Sequence, residues 1–320
     1  MSLRQKTGTR LLKALLPIAL LLVLAIVGIT AFIVYSAAHP AAHAVTVRPE
    51  NFTQLSDRGL KVTDEAWNNR DGTQARGWLL RGAEGAPAVV LLHSYGADRS
   101  WLLNLGVKIN ETSNFTILWP DLRGHGLDPK VTSGTSFGAR EAEDAVAALD
   151  YLRTLKTPQN RPLVGSSFGI YGLEMGAYAA LIAASREQNV HALVLDSVPR
   201  TPDDLLHSIV SERAGSFDNV LLQQFSRLGA RLYFYGSYEN KDACAAASSL
   251  NNCRVLLLGG ADAPVWRAST NALVPCFPNR SLVEAQTDLS LTGFKLTTAT
   301  GVQGEAYDRR VIEFFDKTLR

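Results

Sequence analysis

The chain has 320 residues, 46% hydrophobic and 19% charged, which suits one large α/β domain or two small ones and excludes a disordered or fibrous chain. Net charge is +2, from 32 basic and 30 acidic residues, and no basic patch argues for nucleic acid as a partner. Arg4, Lys6, Arg10 and Lys13 are the only charges before residue 40, leaving 28 basic against 30 acidic residues beyond it.

Residues 1–13 form a basic segment, and residues 14–35, ALLPIALLLVLAIVGITAFIVY, form an uncharged run of 22. At about 1.5 Å per residue such a run crosses a hydrocarbon core of roughly 30 Å. Two readings stand, an uncleaved anchor and a cleaved signal peptide with processing sites in SAAHPAAHA. The run exceeds the roughly 7–15 residues of a signal h-region, which favours the anchor. All four positive charges precede the span, predicting a single-pass protein with a cytoplasmic N-terminus and an extracytoplasmic domain. The membrane is therefore the first expected partner. Residues 36–50 are expected to serve as a tether and residues 51–320 as the folded domain.

Apolar runs bounded by turn residues predict buried strands at AVVLL (88–92), FTILW (115–119), FGIY (168–171), ALVL (192–195) and RVLLL (254–258). Runs this apolar fit parallel strands covered on both faces. Helical patterns separate them. Ala142, Ala145, Val146, Leu149 and Leu152 share one face of 139–153, and 175–185 is apolar all round. Tyr307, Val311, Phe314, Phe315 and Leu319 make a last one-sided helix. Strand–helix alternation predicts a mostly parallel, doubly wound sheet. Residues 200–230 interrupt it with two helix-like stretches, read as a small helical cap over the strand ends, where open α/β sheets bind ligands. A small molecule or peptide beneath that cap is the expected ligand.

The cysteines, Cys244, Cys253 and Cys276, lack metal-ligand spacing. One reading pairs Cys244 with Cys253 across a short loop and leaves Cys276 free; the other keeps all three as small buried hydrophobes. Asn51, Asn110, Asn114 and Asn279 stand in N-x-S/T sequons. No metal or cofactor is expected.

Over roughly residues 55–320 the chain resembles the α/β-hydrolase superfamily, most closely its bacterial esterase and serine-aminopeptidase branches. NNRDGTQARGWLLRG resembles the first hairpin, VVLLHSYGADRS the strand and oxyanion loop, ILWPDLRGHGLD the loop after the next strand, and SFGAREAEDAVAALDYL the helix that follows. The resemblance implies an α/β-hydrolase fold with a cap, preceded here by one transmembrane helix. It also implies oxyanion-loop positions at Ser94, Tyr95 and Met175.

Two frames compete for the nucleophile elbow, whose pattern is G-x-S-x-G. By letters the frame is GSSFG, centred on Ser167. An elbow works because a strand delivers the residue into a strained turn and a helix departs at once. GSSFG is followed by β-prone residues and another glycine. GLEMG, residues 172–176, has FGIY before it and AYAALIAA after it, so Glu174 is the predicted turn residue and Ser167 the alternative nucleophile. Asp262 stands at the triad-acid position implied by the resemblance, with Asp196 the weaker candidate. Either is equally read as a turn former or helix cap. The histidine should lie in LTGFKLTTATGVQGEAYD, which has none, and none occurs after His207. His93 and His125 sit in framework loops, His39 and His43 beside the apolar run, His191 on a strand edge and His207 in the expected cap.

Two functions follow from different classes. One is a non-hydrolytic, tethered binding or scaffolding domain. The other is an ester or amide hydrolase using Ser167 or Glu174 with an atypical base. If Glu174 and Asp262 face one pocket, their like charges should raise at least one carboxyl's pKa.

Overall fold

The runs richest in Val, Ile and Leu become the middle of the sheet. The structure, a computed structural model, describes residues 3–41, 61–126, 134–296 and 302–320. Most of the expected tether, with His43 and the sequon at Asn51, lies outside the described residues, as do 127–133 and 297–301. The strands are β1 (Val62–Asn68), β2 (Gln74–Leu80), β3 (Ala86–Leu92), β4 (Thr116–Pro120), β5 (Val164–Leu173), β6 (Val190–Asp196), β7 (Arg254–Gly260) and β8 (Val283–Leu289). The helices are α1 (Leu3–Ala38), α2 (Leu103–Ser113), α3 (Glu141–Thr154), α4 (Met175–Ala184), α5 (Pro202–Ala214), α6 (Val220–Tyr233), α7 (Ala243–Ala247), α8 (Pro264–Leu273), α9 (Gly293–Leu296) and α10 (Val302–Leu319).

The chain divides into two compact units, Met1–Ala37 with Leu206–Gly236, and Ala38–Leu205 with Ser237–Arg320. The larger unit holds one sheet in the order β1-β2-β4-β3-β5-β6-β7-β8. β1 pairs antiparallel with β2, and β2 with β4; every other pairing is parallel. Residues 88–92 of β3 and 116–119 of β4 are fully buried, as strands covered on both faces must be. One side of the sheet closes over Val89, Leu91, Ile117 and Trp119, packed with Phe314 and Phe315 of α10. Burying side chains of this size stabilises by about 1.5–3 kcal/mol each.

β5 starts earlier than its apolar run. Ala86 pairs with Val164 and Ala88 with Phe168, so two residues of β3 face four of β5. Gly165, Ser166 and Ser167 make up this bulge at the strand's start. α4 then returns the chain to β6, and all ten of its residues are buried.

The pairing of cysteines differs from both readings above. Cys244 is bonded to Cys276, with Cα atoms 5.3 Å apart, and Cys253 is the free thiol, buried at the entry to β7. Nearness in sequence misled: Cys244 lies on α7 and Cys276 just past α8, so two helices bring together residues 32 apart. Burial pushes the Cys253 thiol up to about 12.

In the smaller unit, the apolar part of α1, Leu15–Ala38, has 24 residues and is long and apolar enough to cross a membrane. Helix α6 and most of α5 belong to the same unit. Asn219 caps α6, its side chain accepting from the Leu222 N–H at 3.0 Å.

Candidate functional site

The turn between β5 and α4 is built by two glycines and held by a residue that is not one. A Cβ on Gly172 would sit 2.6 Å from the Ala177 Cα, and one on Gly176 would sit 2.6 Å from the His93 carbonyl oxygen. Only glycine lets strand, helix and the loop after β3 approach this closely. Between them Glu174 adopts φ +50° and ψ −110°, a sparsely populated conformation for a side-chain-bearing residue. Its N–H donates to the Asp196 carbonyl at 2.9 Å, and its carbonyl accepts from the Tyr178 N–H at 3.0 Å. The surrounding backbone thus over-determines the strained turn.

Glu174 as a residue is 9% exposed, and its Oε2 accepts from the Tyr95 backbone N–H at 3.0 Å. Tyr95 lies in the loop after β3, and Glu174 directly precedes α4, where a negative side chain is favoured by the helix dipole. In hydrolases of this architecture, the N–H after the nucleophile and one from this loop together hold the oxyanion. In this chain Met175 follows Glu174 and Tyr95 lies in that loop, with the Tyr95 N–H directed at the Glu174 carboxyl.

The loop after β3 is fixed by imidazoles acting as struts. His93 Nδ1 donates to the Ser94 carbonyl at 2.8 Å, and its Nε2 accepts from the Leu122 N–H at 3.1 Å. That arrangement requires neutral imidazole, and full burial lowers the His93 pKa in the same direction. His125 Nδ1 bonds the Arg123 carbonyl at 2.9 Å, and its ring meets those of His93 and Tyr95 edge-on. Arg123 is itself buried against Asp144 and reaches Asp71, pinning its loop to α3. Behind the turn, Met175 Sδ accepts from the Thr135 hydroxyl at 3.3 Å. That hydroxyl also bonds Glu141, whose carboxylate gathers Ser136 and the Gly138 N–H.

The two acid candidates converge on one corner of the loop after β8. Asp262 accepts from the Thr292 N–H at 3.0 Å and the Thr292 hydroxyl at 2.9 Å. Asp196 accepts from the Gly293 N–H at 2.8 Å, the Ser197 hydroxyl at 2.8 Å and the Tyr307 hydroxyl at 2.5 Å. Burial pushes Asp196 up to about 6 against these three donors, with the Asp262 charge adding to the rise. The like charge beside Asp262 is thus Asp196. Thr292 is fully buried, a hydroxyl in the loop where sequence reading sought an imidazole. Neither it nor Tyr307 was expected at the site, and a Thr-Gly pair opening that loop was the available signal.

Ser167 lies in the bulge that opens β5, and Glu174 follows the last residue of that strand. Six residues lie between them, and the seven steps of chain span up to about 23 Å at 3.3 Å per residue. Ser94 contributes its carbonyl to His93. Among the described residues no group of three or more His, Cys, Asp or Glu side chains is placed to hold a metal ion.

The model of the alpha/beta hydrolase family matches residues 89–313. The chain belongs to the alpha/beta hydrolase family. Within the fold, an esterase from Pyrococcus furiosus superposes with a TM-score of 0.64 at 18% identity, covering 89% of this chain and 99% of that one. A hyperthermophilic esterase from Pyrobaculum calidifontis gives 0.54 at 15% identity, covering 90% of each chain. Among curated proteins, a polyketide transferase from Stachybotrys chlorohalonatus is 25% identical over 173 residues, 54% of this chain. The alpha/beta hydrolase chain described here spans 55% of that transferase's length. At these identities the likeness is one of fold.

Proposed function

We propose that this alpha/beta hydrolase family member is a membrane-anchored binding or scaffolding domain that does not hydrolyse esters. The observation that carries the reading is the bond from the Tyr95 N–H to Glu174. A serine elbow leaves that donor for the anion that develops on the substrate, and such donors supply much of the rate. A carboxylate already seated there is the wrong charge for an arriving acyl oxygen, and it needs no base of the kind that activates serine. A histidine to activate water is also missing from the sequence after His207, and Asp196 and Asp262 spend their oxygens on Thr292, Gly293 and Tyr307.

The N-terminal helix supports anchoring by length and composition, and the four preceding cations support a cytoplasmic N-terminus. The Cys244–Cys276 bond suits an oxidising, extracytoplasmic compartment. The ligand of such a domain is a small molecule or a peptide.

A second reading, residual ester or amide hydrolysis, draws on the strained turn at Glu174, because strain of that kind is a mark of working sites. A fluorophosphonate probe with peptide mapping separates the two. No adduct is expected on any serine. An adduct at Ser167, or turnover lost in Ser167→Ala, overturns the non-hydrolytic reading.

A further inference from the structure

The smaller unit carries an apolar face that its own packing does not use. In α6, VLLQQFSRLGARLY, the buried residues are Gln223, Ser226 and Ala230. Beside them Gly229 lies so close to α1 that a Cβ there would meet Val34 at 3.1 Å and Thr30 at 3.3 Å. On the opposite side Leu221, Phe225, Leu228 and Leu232 recur at intervals of four, three and four, a single helical stripe. They are between 42 and 66% exposed. Phe217 and Tyr235 extend the exposed apolar surface beyond both ends of the helix. A helix of a water-soluble domain turns its apolar stripe inward; the buried residues of α6 are small or polar, and Leu221, Leu228 and Leu232 turn outward.

The neighbour in α1 explains the inversion. Thr30 and Val34 lie inside the apolar stretch Leu15–Ala38, about 12 and 6 Å from its C-terminal end at 1.5 Å per residue. When α1 spans a bilayer, a helix touching those residues sits at the depth of the headgroups and outer acyl chains. Its outer face then meets lipid. Helices lying in that plane bury an apolar face about 5–10 Å deep and keep cationic side chains at its margin. By helical spacing, the exposed Arg231 falls on one flank of the stripe, from which a long cationic chain can reach phosphate.

We propose that α6 is an interfacial helix whose Leu221–Phe225–Leu228–Leu232 stripe inserts into the headgroup–acyl boundary of the bilayer crossed by α1. The proposal rests on the anchor reading of α1. It gives the chain a second membrane attachment, distant in sequence from the first, and lays α6 along the lipid surface.

The full chain in phosphatidylcholine vesicles is the material for the test. A fluorophore is attached through Leu228→Cys, with Leu24→Cys in α1 and Ser248→Cys in the larger unit as references. The native thiols do not interfere, since Cys244 and Cys276 are bonded to each other and Cys253 is buried. Lipids brominated at different acyl positions quench by depth. The label at 228 should be quenched severalfold more than that at 248, most strongly by bromines near the headgroup, and the label at 24 by bromines near the chain ends. Quenching at 24 without excess quenching at 228 overturns the interfacial helix and leaves the anchor standing. Absence of quenching at 24 overturns both. Self-quenching between labelled copies at 228, in place of quenching by lipid, assigns the stripe to a second copy of the chain and also overturns the proposal.

Discussion

A carboxylate on the strained turn turns the elbow's geometry against its usual use. In a serine hydrolase the amide of the loop after β3 waits for charge to develop on the substrate; here the Tyr95 N–H already donates to Glu174. Glu174→Ala removes that charged acceptor and should cost about 1.5–3 kcal/mol in urea unfolding, with added acetate recovering part of it. Glu174→Ser should remain inactive toward esters, because the hydroxyl would have no imidazole to take its proton. Asp196 supplies a pH test. Its carboxyl is raised to about 6 by burial, so the fold prefers the protonated form. That contribution is fully present below the ordinary carboxylate pKa near 4 and is lost as pH rises through about 6. Unfolding free energy should therefore fall between pH 5 and pH 7 by on the order of 1–2 kcal/mol from this group. Asp196→Asn should flatten that interval. An equally steep dependence in the variant would assign it to other groups.

At the scale of elements, the glycines of the turn and the disulfide make the sharpest predictions. Gly176→Ala would place a methyl 2.6 Å from the His93 carbonyl oxygen, a backbone clash that no side-chain movement relieves. A loss of about 3 kcal/mol or more, or failure to fold, is expected. Reducing Cys244–Cys276 opens a loop of 32 residues and should cost about 3–4 kcal/mol on chain-entropy grounds, read as a lower midpoint in denaturant with added reductant. The central strands were legible because β3, β4, β6 and β7 are apolar on both faces. The turn from β5 to α4 was legible because FGIY and AYAALIAA mark a strand and a helix on either side of Glu174. β8 was not, since VEAQTDL is an edge strand with mixed burial and no apolar run. The start of β5 was hidden by its bulge, where GSSF reads as a turn. The cysteine pairing and the bonds of Thr292 and Tyr307 to the two aspartates are tertiary facts, set by how helices and loops meet and not by spacing along the chain.

For the whole molecule, two features support the proposed place at the membrane surface: an N-terminal helix long and apolar enough to span, and the outward apolar stripe of α6 beside it. The full chain should stay with membranes through an alkaline carbonate wash, whereas the chain lacking residues 1–38 should be released in part, held only by α6. Complete release of the full chain would remove the anchor. The claim on which the account turns is the absence of hydrolysis at Glu174. It is tested most directly by the turnover of p-nitrophenyl acetate and butyrate by the purified full chain beside its Glu174→Ala variant. The account predicts no turnover above buffer for either protein; turnover by the unaltered chain that disappears in the variant would contradict it.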